Sequence, residues 1–167
     1  DDLDQRDVDG VIMLLMGQDA VHFNRQFARH HLDERLTRLS PAVEENTLLA
    51  GGAGAHRNLY SAAAYFDNMN TTAGSELAHA YYARYGTWAP ALNAVGESCY
   101  EAIMFLARVG EMCGGFDLDR LAGLTDEAWH GPRGLMRFEG NLLNQDVYLA
   151  AATDLEFEIQ EQIAWAG

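Results

Sequence analysis

Val11-Ile12-Met13-Leu14-Leu15-Met16, closed by Gly17, decides how this chain is read. Six apolar residues ended by a glycine suit a strand buried on both faces of a parallel sheet. Asp19 to His30 follows as an amphipathic helix, with Ala20, Phe23 and Phe27 on one face and Asp19 as a candidate cap. Leu36 to Leu39 is a short strand closed by Ser40-Pro41, and Glu44 to Ala50 makes one or two helical turns before Gly51-Gly52. Leu59 to Phe66 then gives a third buried strand. Strand, helix, strand, short helix, strand is an α/β unit built on a parallel sheet.

The second half is helical. Thr72 to Tyr85 is one helix, broken by Gly86-Thr87-Trp88-Ala89-Pro90. Leu92 to Cys113 is the strongest helix, with Val95, Cys99, Ala102, Ile103, Leu106, Val109 and Cys113 along one face. Asp117 to Glu127 reads as a shorter helix capped by Asp117. After the turn Gly131-Pro132-Arg133-Gly134, Leu135 to Glu139 alternates as a strand. Val147 to Ala151 and Leu155 to Ile159, joined at Thr153-Asp154, form an antiparallel strand pair.

Charge narrows the function classes. The 167 residues carry 11 basic groups, all of them Arg, against 25 acidic ones, for a formal charge of −14. Such a body repels phosphate backbones and anionic lipid surfaces, so no nucleic-acid partner is expected. Val11–Met16 is far too short to cross a bilayer, which takes about 20 residues. The start, Asp1-Asp2-Leu3-Asp4, is acidic where a signal peptide is positive. Cys99 and Cys113 fall about 21 Å apart on one helix, too far for a disulfide, and read as small buried hydrophobes.

Several motifs suggest chemistry without the context it needs. Glu76/His79 and Glu127/His130 have the Glu-x-x-His spacing of carboxylate-bridged metal sites, but further glutamates on neighbouring helices are lacking. No metal and no cofactor are expected. Gly96-Glu97-Ser98-Cys99-Tyr100 brushes a nucleophile elbow without its final glycine or its preceding strand. A small α/β hydrolase using Ser98 or Cys99 is therefore the rival reading. Gly51-Gly52-Ala53-Gly54 follows a helix, which is wrong for a phosphate loop.

A ligand site of the open α/β kind remains, at the carboxyl ends of the strands. Gly17, Gln18, Asp19, Ser40, Glu44 and Tyr65 gather there in the chain order of the three strands. They offer backbone, amide, hydroxyl and carboxylate groups and one aromatic face with a polar tip. That set suits a small polar ligand, neutral or cationic.

Several segments carry a resemblance. Val11 to Asp19 with Phe23-Asn24-Arg25 resembles the strand–Gly–helix that opens lobe two of the type 1 periplasmic binding proteins. Ala63 to Phe66 with Thr71 resembles the third-strand segment of their amide- and urea-binding branch. Val95 to Tyr100 looks like the start of a long helix in the amide sensor of aliphatic amidase operons. Gly131 to Phe138, then Asn144 to Leu149, resembles the family's closing Gly-x-x-Gly turn and terminal strands.

The resemblance implies an α/β parallel-sheet lobe, a helical segment returning to the other lobe, and a C-terminal antiparallel strand pair. Residues 1–86 and 146–167 would form ligand-binding lobe two, and 87–145 would return to lobe one. It further implies a first-lobe segment upstream of Asp1, which supplies many of the family's ligand contacts. Lacking it, the fragment is expected to self-associate or to pair with that missing half. The implied protein is non-catalytic. It is the receptor of an ABC importer, partnered by the permease outside the cell or in the periplasm. The cytoplasmic variant is an amide sensor with a regulatory partner.

Overall fold

The computed structural model describes residues 8–117, 119, 127–139 and 142–165. Its main sheet has five strands in the order β1 (Gly10–Ile12), β2 (Thr37–Ser40), β3 (Leu59–Ala63), β7 (Val147–Thr153), β8 (Glu156–Ile163). The first three run parallel, and β7 joins β3 antiparallel with Ala62 opposite Leu149. Helices α1 (Gly17–Arg29) and α2 (Glu45–Gly51) supply the crossovers between the parallel strands. The α/β architecture expected from the opening residues is therefore present. The terminal strand pair belongs to the same sheet.

The deciding stretch departs from its expected form. Its strand covers Gly10–Ile12 only and lies at the sheet edge. Met13 is buried, whereas Ile12 and Leu14 are 73% and 75% exposed. The apolar run predicted a doubly covered strand, but Ile12, Leu14 and Met16 alternate into water. Asp19 lies in the first turn of α1 and Met16 holds the cap position. There its carboxylate favours the helix N-terminus without a capping bond.

The core of this half is contiguous. Met13, Ala20, Val43, Leu48, Leu59, Phe66, Tyr148, Ala150 and Phe157 form one buried cluster, each large side chain worth about 1.5 to 3 kcal/mol of burial. Arg38 pierces the sheet on the α1 side. Its guanidinium lies 4.5 Å over the Phe27 ring and donates to Asn24 Oδ1 at 2.6 Å and to the Ala55 and Arg57 carbonyls. Burial lowers its pKa to about 10, so it stays charged and replaces water with protein acceptors.

Beyond β3, α3 (Thr72–Tyr85) begins where expected because Thr71 Oγ1 accepts the Gly74 N–H at 2.9 Å. It ends at Gly86, whose φ of +83° suits glycine. Asn46 then holds the connector through reciprocal bonds with the Ala91 N–H and carbonyl, tying it to α2.

Helix α4 (Ala94–Cys113), capped by Asn93, presents a different face from the one its apolar spacing predicts. Val95 and Ile103 are 63% and 65% exposed, and Leu106, Ala102 and Cys99 also face water. Of that stripe only Val109 is buried, beside Glu97 and Glu101, and Cys113 is half-buried. Both cysteines thus escape the burial expected of them. The reason is Arg133, which draws the two glutamates inward.

Arg133 sits in the turn of a second, antiparallel sheet of β4 (Glu127–Gly131), β5 (Gly134–Glu139) and β6 (Leu142–Gln145). Only β5 was foreseen. Glu127 and His130 therefore stand on one strand and not on a helix, so the helical pair is not formed. The helix expected over Asp117 to Glu127 falls mostly outside the described residues; Asp119 donates its N–H to Asp117 Oδ1 at 2.9 Å, and Glu127 opens β4 instead of closing that helix.

Candidate functional site

The parallel pairing of β1, β2 and β3 puts their carboxyl ends on one edge of the sheet. The residues that follow those ends are the six anticipated ones. Gly17, Gln18 and Asp19 are exposed at the start of α1, where Gly17 has a φ of +54° that favours glycine. Glu44 is half-buried at the cap position of α2.

The other two lie deeper. Ser40 is fully buried, and its Oγ accepts the N–H groups of Ala42 and Val43 at 3.1 and 3.2 Å. It shapes the turn after β2. Tyr65 is 1% exposed, and among the described residues its hydroxyl has no hydrogen-bond partner. Burial pushes that phenol's pKa far up, and Asp67, Glu97 and Glu45 raise it further. A neutral donor is thus held among carboxylates with nothing to receive its proton.

Sequence reasoning missed the carboxylates themselves. Glu45, one residue beyond the expected Glu44, is the buried member of the pair. Its Oε1 accepts the Asp67 N–H at 2.9 Å, and burial raises its pKa to about 7. Asp67 Oδ2 receives the Tyr82 hydroxyl at 2.5 Å, while Oδ1 has no partner. Burial raises the Asp67 pKa as well, and the Tyr82 phenol is pushed up to about 12. Glu45 and Asp67 border a hollow of about 440 Å3 that Leu49, Ala91, Glu156 and Phe157 complete. Its lining holds no cationic side chain. A positive or neutral donor fits this surface and an anion does not.

Among the described residues, Ser98 is not paired with a base. Ser98 Oγ donates to the Ala94 carbonyl within α4 and accepts from Arg133 Nη2, both at 2.6 Å. Neither partner is a base, and Cys99 is an exposed free thiol. Among the described residues no group of three histidine, cysteine or acidic side chains is arranged to hold a metal ion.

A family profile described as periplasmic binding protein matches residues 2–155. Solved structures agree in fold. An amino acid ABC transporter substrate-binding protein from Pseudomonas fluorescens superposes with a TM-score of 0.81 at 18% identity, covering 95% of this chain and 45% of that one. A Streptococcus pneumoniae branched-chain amino acid transporter substrate-binding protein, solved with isoleucine, gives 0.74 at 14% identity over 97% and 46%. A Rhodopseudomonas palustris ABC transporter solute-binding protein with 3,4-dihydroxybenzoic acid gives 0.71 at 20% over 93% and 44%. The chain thus spans less than half the length of these structures. No curated protein matches it.

Proposed function

Since the chain belongs to the periplasmic binding protein family, we propose that it is the ligand-binding lobe two, with a returning segment, of a solute receptor. The receptor serves an ABC importer outside the cell or in the periplasm and is non-catalytic. On this reading 1–86 and 146–167 form the lobe and 87–145 returns to the other one. The pairing of β7 with β3 supports the first grouping. Among the described residues no helix is long and apolar enough to cross a membrane.

The ligand is small, polar and neutral or cationic: a short amide, urea or an amino-acid-like molecule. One observation carries this, the acidic edge. Glu44, Glu45, Asp67 and the exposed Asp19 stand around the strand ends, and the unpaired Tyr65 hydroxyl lies below them. Two of the solved relatives have amino acids or isoleucine in their descriptions and one an aromatic acid. An aromatic carboxylate is disfavoured here by the local negative charge. Gly17, Gln18, Asp19, Ser40, Glu44 and Tyr65 are the proposed contacts, Ser40 by fixing its turn.

Calorimetric titration of the chain with acetamide, urea, isoleucine and benzoate tests this. One of the first three binds, benzoate does not, and Tyr65→Phe weakens binding about 2- to 13-fold, the worth of one hydrogen bond of about 0.5 to 1.5 kcal/mol. Benzoate binding best, or affinity indifferent to Tyr65→Phe and Gln18→Ala alike, rejects the site.

A further inference from the structure

Away from the strand ends, α3, α4 and β4 enclose a groove of about 820 Å3. Glu101 forms part of its floor. This side chain is 6% exposed, and its Oε2 meets Arg133 Nε at 2.7 Å. The other oxygen, Oε1, is buried and has no hydrogen-bond donor among the described residues. It lies against Gly131, where an added Cβ would collide with it. A glycine there is what leaves room for this buried carboxylate oxygen, packed beside Met136.

The surroundings leave negative charge uncompensated. Arg133 is shared between Glu97 and Glu101 and also donates to Ser98 and Gln145, so two buried carboxylates divide one cation. Glu97 Oε1 is likewise unpartnered. On the groove rim, Glu76 and Glu111 outnumber Arg108. The wall is aromatic: Trp129 stacks on Phe105 with centroids 4.8 Å apart, and Tyr100 lines the same groove. Two carboxylates sharing one cation, in a groove with aromatic walls, are the complement of an ammonium ion on an apolar body. A hard divalent ion needs about six oxygen ligands and finds no such set there.

We propose that this groove is a second binding site, for a primary ammonium compound whose charged end pairs with Glu101 Oε1 and whose apolar body rests on Trp129. It is separate from the strand-edge site and does not depend on it. Burial, and after it the Glu97 charge, raise the Glu101 pKa to about 7 although Arg133 lowers it, so above neutral pH the two carboxylates carry more charge than Arg133 offsets.

Titration of the chain with benzylammonium at pH 8, followed by Trp fluorescence and calorimetry, is the test. Saturable binding is expected, weakened at least tenfold by Glu101→Gln and unaffected by Gln18→Ala. Benzyl alcohol, equal in shape but neutral, binds at least tenfold more weakly. Equal binding of the alcohol means an apolar groove without a charge site and overturns the proposal, as does an unchanged affinity in Glu101→Gln. Loss in Gln18→Ala moves the amine to the strand edge and also overturns it. Where Glu101→Gln fails to fold, Gly131→Ala and Trp129→Leu decide by the same tenfold criterion, and binding that survives both refutes the site.

Discussion

The two halves of the molecule bury opposite kinds of surface. Around the five-stranded sheet, Leu48, Leu59, Phe66 and Phe157 face inward and charged groups face water, Asp33, Arg38 and Glu45 excepted. Along α4 the arrangement is inverted, with Glu97 and Glu101 turned in and Val95, Ile103, Leu106 and Met104 turned out. An apolar stripe therefore predicts a buried face only where the protein supplies an apolar partner. Where a buried cation stands opposite, the helix rotates toward it. The difference also predicts how the two halves fail.

The largest effect is expected at Arg133. Arg133→Ala leaves Glu97 and Glu101 buried without their cation, a loss of about 3 to 5 kcal/mol in urea denaturation. Adding Glu97→Gln and Glu101→Gln should restore part of it. A loss under 1 kcal/mol would mean that α4 is not held by charge and would erase the contrast. Leu48→Ala comes next, at about 3 kcal/mol, as an ordinary cavity in the sheet core. No second substitution should rescue it.

Smaller still is a pH effect centred on Glu45. Its folded pKa, raised by burial to about 7 from the ordinary 4.5, makes the folded state hold the proton more tightly. Stability is therefore fully present below about pH 4.5 and falls as pH rises through 7. Thermal melts across that window should decline with pH, and Glu45→Gln should flatten the Glu45 share. A Glu45→Gln profile identical to the parent would deny the buried carboxylate. The smallest change in stability is expected at Leu106→Glu, within about 0.5 kcal/mol, because the side chain is already half in water. Its readout is association. At micromolar concentration the parent chain should sediment above its monomer mass through the α4 face, and the variant should not. A monomeric parent would show that this face tolerates water.

Much of this was legible in the chain itself. Helix α3 has the anticipated bounds because Thr71 and Gly86 are local signals that act on their own backbone. The three parallel strands and the closing hairpin were readable from apolar runs between turn residues. What escaped depends on distant partners. The inward face of α4 is set by Arg133, far along the chain, and no periodicity within the helix encodes it. Glu44 and Glu45 look alike in sequence, and the phase of α2 alone decides which is buried. The strand Glu127–Gly131 mixes small, aromatic and charged residues, so it forms through its ladder to β5 more than by its own preference. At the site, Tyr65 and the exposed Gln18 were visible as residue types, but Asp67 entered only through the fold.

The pairing of β3 with β7 has a consequence for synthesis. Tyr60 to Ala63 find their partners in Tyr148 to Ala151, so residues 64–146 must leave the ribosome before that edge of β3 is covered. At about 5 to 20 residues per second this delay is on the order of ten seconds. Throughout it, a short, largely apolar strand offers unsatisfied backbone groups to any passing chain. Strand β7, made later than β3, is the piece that closes this edge, so removing it after synthesis would reopen the same template.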